Sequence, residues 1–212
     1  MTYGYWPLFD LRLASPDLTL RPMREADLAV VSDLLPGDLE LDPAATTYGL
    51  TDEQVSRGII THQAYWKAYG SWHPSGWRLG FVVAAAGQIV GFQELEGNDF
   101  PLLRTVDTSS FLIAGARGRG YGKQMRRAVL ALAFGTLHAQ AAITSAWHDN
   151  HASLGVSRAL GYRPNGESLH ARGDQADVMV HMRLTAADWL ASGDGNDIRI
   201  SGFDACRFLF GL

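Results

Sequence analysis

Short segments of alternating hydrophobic and polar residues recur along the chain and predict the strands of a sheet. In the segment 77–97, two such runs flank Ala86-Gly87, which predicts a β-hairpin. The other predicted strands are 18–23 (LTLRPM), 105–115 (TVDTSSFLIAG), 141–147 (AAITSAW) and 177–185 (DVMVHMRLT).

Longer segments between these strands carry hydrophobic residues at helical spacing. Helices are predicted at 24–35, 53–69, 121–139 and 150–162. Helices that interrupt a mixed set of strands predict an α/β or α+β fold. The hydrophobic face of the third helix consists of Met125, Val129, Leu132, Ala133 and Leu137.

The composition predicts a globular protein with a sizeable core. Of the 212 residues, 47% are hydrophobic and 19% are charged, and the net charge of −4 argues against general nucleic-acid binding. A single cysteine, Cys206, excludes an internal disulfide and is expected to be buried rather than catalytic. Because no apolar run approaches the roughly 18 residues of a membrane span and no signal peptide is evident, we expect a cytoplasmic protein without a membrane partner.

The end of the chain differs in composition from the rest. The segment SGDGND (192–197) predicts a linker to a short apolar tail. We therefore expect one domain over residues 1–191, followed by a linker and tail over 192–212. The tail is expected to pack on the domain or on a partner subunit, and a homodimer is left open.

The segment ARGRGYGKQMRRA (116–128) has glycine at every second position of its centre, among arginines and a lysine. A strand precedes it and a helix follows, so unpaired N–H groups of the first helical turn and close-approaching glycine backbone predict an anion site. The alternative is a flexible turn with solvated arginines. The spacing fits neither a Walker loop, since Gly122-Lys123 is followed by Gln124, nor the dinucleotide fingerprint.

A second group of residues begins the helix at 150–162. Asn150 is a predicted N-cap, Ser153 lies one turn later on the same side, and Gly161 is a predicted C′ residue. Each of these residues has a purely structural explanation when taken alone.

Together the two groups resemble a known family. Arg117-x-x-Gly120-x-Gly122 matches the R/Q-x-x-G-x-G/A signature of the GNAT N-acetyltransferases, which use acyl-CoA. The resemblance extends over residues 18 to about 185. It implies the GNAT fold, a mixed and mostly antiparallel sheet flanked by helices on both faces, and acetyl-CoA (coenzyme A) as the acyl donor.

The match is similar to one branch of that family, the ribosomal-protein-alanine acetyltransferases. Asn150-x-x-Ser153, followed by Leu160-Gly161-Tyr162, resembles a block of that branch, as does the opening LTLRPMREADL. Tyr162 fills the aromatic position of this block and is expected in the core.

The resemblance implies that loop amides hold the coenzyme A diphosphate while nearby cations balance its charge. The preceding strand pairs with the pantetheine arm, and a backbone N–H there polarises the thioester carbonyl. The implied cofactor-binding residues are Phe111, Leu112, Ile113, Arg117, Gly118, Arg119, Gly120, Tyr121, Gly122, Lys123, Asn150 and Ser153.

Direct attack by an amine requires a base and support for the departing thiolate. Many family members have a tyrosine seven residues after the asparagine, where this chain has Ser157. Ser153 is therefore the candidate that hydrogen-bonds the thiolate. Glu94 is the candidate base; Glu96 shares its face and Asp107 lies on the next strand, and solvent-facing roles for the two glutamates are the alternative.

The acceptor side is expected to be aromatic. Family members use the region of the second helix as a wall of the acceptor site, so Trp66, Tyr69 and Trp72, with Glu94, are the candidate acceptor residues. The alternative is packing of that helix on the sheet. His148, Asp149 and His151 match no common metal-binding spacing, and no metal is expected.

The predicted function is transfer of acetyl from acetyl-CoA to a primary amine, either a protein N-terminus or a small molecule. Transfer of a longer acyl group and a non-catalytic acyl-CoA-binding protein, a sensor or a sequestering module, remain alternatives. A phosphate-loop domain of another kind would instead bind ATP or NAD.

Overall fold

The computed structural model describes residues 4–40, 48–49 and 52–212. The strands are β1 (Arg12–Ala14), β2 (Leu18–Pro22), β3 (Gly76–Ala85), β4 (Gln88–Asn98), β5 (Thr105–Leu112), β6 (Ala141–Trp147), β7 (Arg163–Arg172), β8 (Gln175–Thr185) and β9 (Arg199–Ser201). The helices are α1 (Leu28–Asp33), α2 (Glu53–Gly70), α3 (Phe100–Leu103), α4 (Tyr121–Ala131), α5 (His151–Ala159) and α6 (Ala186–Ser192).

The strands form one sheet in the order β7-β8-β6-β5-β4-β3-β2-β1-β9. The β5–β6 pair is parallel and the other neighbouring pairs are antiparallel. This mixed, mostly antiparallel sheet confirms the predicted fold class. The β3–β4 hairpin turns at Ala86 and Gly87, which both have positive φ angles, as a tight hairpin turn requires.

Both faces of the sheet are covered by helices because successive residues of a strand point to opposite sides. On β3, Val82 belongs to a small core with Leu28 and Val31 of α1 and Tyr65 of α2. The flanking Phe81 and Val83 belong instead to the main core. The main core also contains the predicted hydrophobic face of the third helix, whose residues Met125, Val129, Leu132, Ala133 and Leu137 are all buried.

Several elements differ from the sequence prediction. The helix predicted at 24–35 begins with a 3-10 turn at Glu25–Asp27, where the Asp27 carboxylate accepts the Arg24 backbone N–H at 2.8 Å. The helix predicted at 121–139 is α-helical only to Ala131 and continues as a π-helical turn over Leu132–Thr136. The edge strand β7 was missed because its residues are mostly exposed on both faces and show no alternation.

The C-terminal segment packs on its own chain. The strand β9 pairs with β1, with Ile200 opposite Leu13. After it, Phe203, Cys206 and Phe210 are buried in the main core, so the expectation that Cys206 is buried is confirmed. The domain boundary placed at residue 191 stays a prediction.

Candidate active site

A cleft opens between β5 and β6, where these two parallel strands separate. The two strands are paired at three positions, ending with Asp107 opposite Ile143. Just beyond, the Thr144 hydroxyl donates to the Thr108 carbonyl at 2.9 Å. The remaining residues of β5 pair with β4 alone, and those of β6 pair with β8 alone. Backbone groups on the facing edges of the two strands are therefore directed into the cleft.

The alternation of backbone groups decides which residues of β5 face this cleft. The Ile113 N–H donates to the Val90 carbonyl at 3.0 Å, so Ile113, and by alternation Phe111, pair toward β4. Leu112 faces the other way, and its carbonyl accepts the Arg117 Nε–H at 3.2 Å. Of the three strand residues predicted to contact the pantetheine arm, Leu112 is the one whose backbone faces the cleft.

The glycine-rich loop lies at one end of the cleft and starts α4. Gly118 and Gly120 have φ angles of +73° and +78°, in the left-handed region where a side chain is strained. Gly120 is the N-cap residue of α4, and no side chain within the described part of the chain caps this helix end. The first-turn N–H groups therefore keep their capacity to bind an anion, which the positive end of the helix dipole favours.

The cations of this segment have four different environments. Arg117 forms two hydrogen bonds with the Asp38 carboxylate, at 2.6 and 2.8 Å, instead of facing the loop amides. Arg119 and Lys123 are exposed beside the first turn of α4. Arg127 pairs with acidic residues of the C-terminal segment, and Arg126 points into the core. Among the described residues, only Arg119 and Lys123 combine the predicted position with an exposed side chain and no ion pair.

The start of α5 is capped as the sequence predicts. The Asn150 side-chain oxygen accepts the backbone N–H of Ser153 at 3.0 Å, and Gly161 follows the helix with a positive φ angle. Ser153 is partly buried. Ser157, which stands where the family resemblance implies a tyrosine, is 1% exposed and donates its hydroxyl to the Ser153 carbonyl at 3.1 Å. Ser157 is therefore occupied by helix packing.

Glu94 lies on β4, directly opposite Ser109 of β5. Its carboxylate accepts a hydrogen bond of 3.4 Å from the Ser109 hydroxyl and lies 3.7 Å from Arg78, which makes a closer contact of 2.6 Å with Glu96. The side chain of Glu94 is 18% exposed. Burial raises the pKa of Glu94 to about 6, although the Arg78 charge opposes this shift. A carboxylate of this kind is ionised at neutral pH and is able to accept a proton.

Asp107 lies on β5, two residues before Ser109, on the same face as Glu94 and Glu96. Burial raises the pKa of Asp107 to about 6, against a hydrogen bond from the Thr108 N–H that lowers it. This face of β4 and β5, which forms the floor of the cleft, therefore carries two carboxyl groups with raised pKa values.

A cavity of about 620 Å³ lies at the open end of β6. It is open to solvent and is lined by residues 37–40 after α1, by the first turns of α2, by Trp147, and by the turn of the β7–β8 hairpin. The Arg172 guanidinium lies 4.9 Å from the centre of the Trp147 ring and pairs with Glu40. The cavity walls are thus charged and contain one aromatic ring.

The aromatic residues predicted to wall the acceptor site do not line this cavity. The Tyr69 hydroxyl donates to the Met23 carbonyl, and the Trp72 indole donates to the Leu209 carbonyl, both at 2.8 Å. Trp66 is 52% exposed and donates to Glu25 at 3.2 Å. Tyr69 lies twelve residues beyond Arg57, which lines the cavity, so the two are about 18 Å apart along α2.

Two side chains of the site region carried no sequence signal. Asp38 was overlooked because it lies in a turn remote in sequence from Arg117. Arg126 belongs to the same basic segment as the loop cations, and only the structure shows that it is buried. Tyr162 is buried as predicted, and burial raises its pKa.

Comparison with known proteins assigns the class of the molecule. Residues 17–163 match the acetyltransferase (GNAT) domain, and the chain belongs to this family. GNAT acetyltransferases are acyl-CoA-dependent enzymes that act on amine acceptors, so this chain is an acyl-CoA-dependent acetyltransferase. Among the described residues, no helix is long and apolar enough to cross a membrane.

Solved structures share the fold at low sequence identity. A spermidine/spermine N-acetyltransferase from Vibrio cholerae is 14% identical, with a TM-score of 0.63 over 84% of this chain and 98% of that one. A candidate ribosomal-protein-serine acetyltransferase from Vibrio cholerae is 13% identical, with the same TM-score and coverage. A further candidate acetyltransferase is 16% identical, with a TM-score of 0.65 over 87% of this chain and 96% of that one.

Proposed function

We propose that this protein transfers the acetyl group of acetyl-CoA to a primary amine by direct attack. The observation that carries the proposal is that a helix end suited to binding an anion and a carboxylate with a raised pKa border the same cleft. An uncapped helix N-terminus with two left-handed glycines lies at one end, and Glu94, with its raised pKa, lies on the floor beside the β5 edge.

The amides from Gly118 to Lys123 bind the diphosphate of the donor, and Arg119 and Lys123 balance its charge. The N–H of Leu112 faces the cleft and polarises the thioester carbonyl as negative charge develops on its oxygen. Ser153 donates a hydrogen bond toward the sulfur. Asn150 supports this by capping the helix that carries Ser153.

Glu94 accepts the proton that the acceptor amine loses. An ammonium group has no lone pair, so the acceptor reacts as the neutral amine after losing its first proton to solvent, and the second N–H proton, released as the carbon–nitrogen bond forms, passes to Glu94. With a pKa of about 6, the carboxylate is ionised at neutral pH yet more basic than an ordinary glutamate. The cavity at the end of β6 is the route by which the acceptor reaches this floor.

The acceptor is a small molecule or a peptide N-terminus. The test supplies acetyl-CoA and measures free thiol release with spermidine, with peptides that begin with alanine or serine, and with simple primary amines. Thiol release that depends on both the amine and the enzyme is the expected result. Binding of acetyl-CoA without thiol release for any amine would instead identify a non-catalytic acyl-CoA-binding protein. Faster thiol release from longer acyl-CoA donors would show that the enzyme transfers a longer acyl group than acetyl.

A further inference from the structure

Arg126 is a buried cation at the closed end of the cleft. It projects from α4 and is 3% exposed. Its Nη1 lies 3.4 Å from the Thr144 hydroxyl of β6, and its Nη2 lies 3.5 Å from the Ser110 hydroxyl of β5. Both contacts lie just beyond the last residues at which the two strands are paired. The guanidinium therefore bridges β5 and β6 where they separate.

No carboxylate neutralises this guanidinium at ion-pair distance. Within the described parts of the chain, no carboxylate oxygen lies within 4.0 Å of its nitrogens, and its Nε has no hydrogen-bond partner. An arginine side chain keeps its charge when buried, and a buried charge without a partner is costly. Among the described residues this guanidinium therefore has no direct ion pair, and its charge is opposed only from beyond ion-pair distance.

The charged and titratable groups around Arg126 come from two further elements. Asp107 of β5 interacts with it electrostatically from beyond ion-pair distance, and its own neighbours include Glu96 and Arg78. Tyr162, which follows α5, lies close to Arg126 and is fully buried, and burial raises the pKa of its phenol. Thus Tyr162 is uncharged at neutral pH, and Asp107 is the partial counter-charge.

We propose that Arg126 stabilises the thiolate of coenzyme A that leaves when the acetyl group is transferred, an inference that rests on the function proposed above. The amine nitrogen forms a bond to the thioester carbonyl carbon, and the carbon–sulfur bond breaks. The electron pair of that bond stays on sulfur, and the amine proton passes to Glu94. The new negative charge on sulfur appears inside the cleft, where a buried cation acts over several ångströms in a medium of low polarity.

The position of Arg126 on α4 supports this role. Gly122 lies four residues earlier on the same helical face, and an added Cβ there would lie 3.5 Å from Val156 of α5 and 3.8 Å from Leu112 of β5. The start of α4, the side of α5 and the end of β5 therefore converge one helical turn, about 6 Å, from Arg126. The Arg126 guanidinium lies between this junction and the point where β5 and β6 separate.

The tyrosine that many family members use as a proton donor to the departing thiolate is missing from its usual position in this sequence. Ser157 occupies the tyrosine position, and its hydroxyl donates to a backbone carbonyl of α5. Ser153 is a weak acid, so it hydrogen-bonds the sulfur without protonating it at neutral pH. A fixed positive charge lowers the basicity of the leaving sulfur without any proton transfer.

The test compares coenzyme A with desulfo-coenzyme A, which lacks the sulfur atom, by calorimetric titration between pH 6 and 9. If the bound thiolate is stabilised, coenzyme A binds increasingly more tightly than its desulfo analogue as pH rises. We expect this preference to grow about tenfold in the wild type, corresponding to a thiol pKa lowered by about one unit from about 8.5.

The variants separate charge from packing. Arg126→Met should abolish the pH-dependent preference and lower kcat about tenfold with little change in KM for acetyl-CoA. Arg126→Lys keeps the charge and should retain most of the preference, whereas Asp107→Asn removes the counter-charge and should enlarge it. Arg158→Met, which removes an exposed charge on α5, should change nothing.

If the preference of the wild type for coenzyme A over its desulfo analogue did not change with pH, the proposal would be overturned, even if Arg126→Met failed to fold. An unchanged slope in a folded Arg126→Met variant, verified by circular dichroism, would overturn it as well. Failure of both coenzyme A and its desulfo analogue to bind would instead refute the proposed function itself, so the two failures are distinguishable.

Discussion

Glu94 on β4 and Ser109 on β5 lie directly opposite each other, and the Ser109 hydroxyl donates a 3.4 Å hydrogen bond to the Glu94 carboxylate. The antiparallel register fixes this contact, because both side chains must point to the face covered by α1 and α2. The carboxylate is thereby held at the edge of the cleft and largely removed from water, which raises its pKa.

The first prediction concerns catalysis by Glu94. In the wild type, kcat/KM should rise with pH through about 6, because the carboxylate must be ionised to accept a proton. Glu94→Gln should lower kcat by about 10²-fold or more and remove this limb of the pH profile. The matched control is Glu96→Gln, which changes a neighbour on the same face that pairs closely with Arg78. A full rate and an unchanged profile in Glu94→Gln would place the base elsewhere.

The second prediction concerns stability. The pKa of Glu94 rises from 4.5 to about 6, so the folded state binds this proton more tightly than the unfolded state does. Stability is therefore lost as pH rises between these values, and the loss persists at higher pH. Glu94→Gln should be more stable than the wild type at pH 7.5 by on the order of 1 kcal/mol, with no difference near pH 4. Thermal melts at both pH values measure this, with Glu167→Gln on the exposed β7 as the control.

The third prediction concerns the ion pair between Asp38 and Arg117. Both side chains are substantially exposed, so solvent screens the pair and it holds Arg117 only weakly. If Arg117 turns toward a bound diphosphate, Asp38→Asn should strengthen coenzyme A binding by about two- to fivefold, measured by calorimetry. Asp33→Asn, a change at an exposed acidic residue that ends α1 and has no described ion pair with Arg117, serves as the control. Weaker binding in Asp38→Asn would show that Asp38 instead holds the loop in its binding shape.

The fourth prediction separates the two roles at the start of α5. Ser153→Ala should lower kcat more than it raises KM for acetyl-CoA, because the hydroxyl acts on the leaving sulfur. The helix cap survives this change, since Asn150 accepts the backbone N–H of Ser153 and not its hydroxyl. Asn150→Ala should instead lower the free energy of unfolding by about 1 kcal/mol. Equal losses of stability in both variants would contradict this division.

Much of the fold follows from the sequence because its signals are local. The alternation in 77–97 and the turn at Ala86-Gly87 produced a hairpin, and the Asn150 cap and the hydrophobic face of α4 lie where the pattern predicted them. Strand β1 and the edge strands β7 and β9 were missed because β1 and β9 are three residues long and β7 is mostly exposed on both faces, so no periodicity marks them.

The site was less predictable because its contacts join residues distant in sequence. Asp38 and Arg117 are 79 positions apart, and no local pattern announces their pairing. The burial of Arg126 depends on where β5 and β6 separate, and that position is set by strand pairing rather than by a local sequence pattern. The aromatic residues in and just after α2 were ambiguous for the same reason: Trp72, two residues beyond the helix, packs against the C-terminal segment, whose position the sequence left open.

The most direct test of the account is calorimetric titration of acetyl-CoA into the wild type and into Gly120→Asp, with ATP and NAD as competing ligands. Gly120 has a left-handed φ angle at the N-cap of α4, so aspartate there adds both strain and negative charge where the diphosphate is expected. Gly135→Asp, at an exposed glycine beyond α4 with open space around it, is the control. We expect selective, saturable binding of acetyl-CoA that Gly120→Asp abolishes and Gly135→Asp preserves. Undiminished binding in Gly120→Asp, or a preference for ATP or NAD, would contradict it.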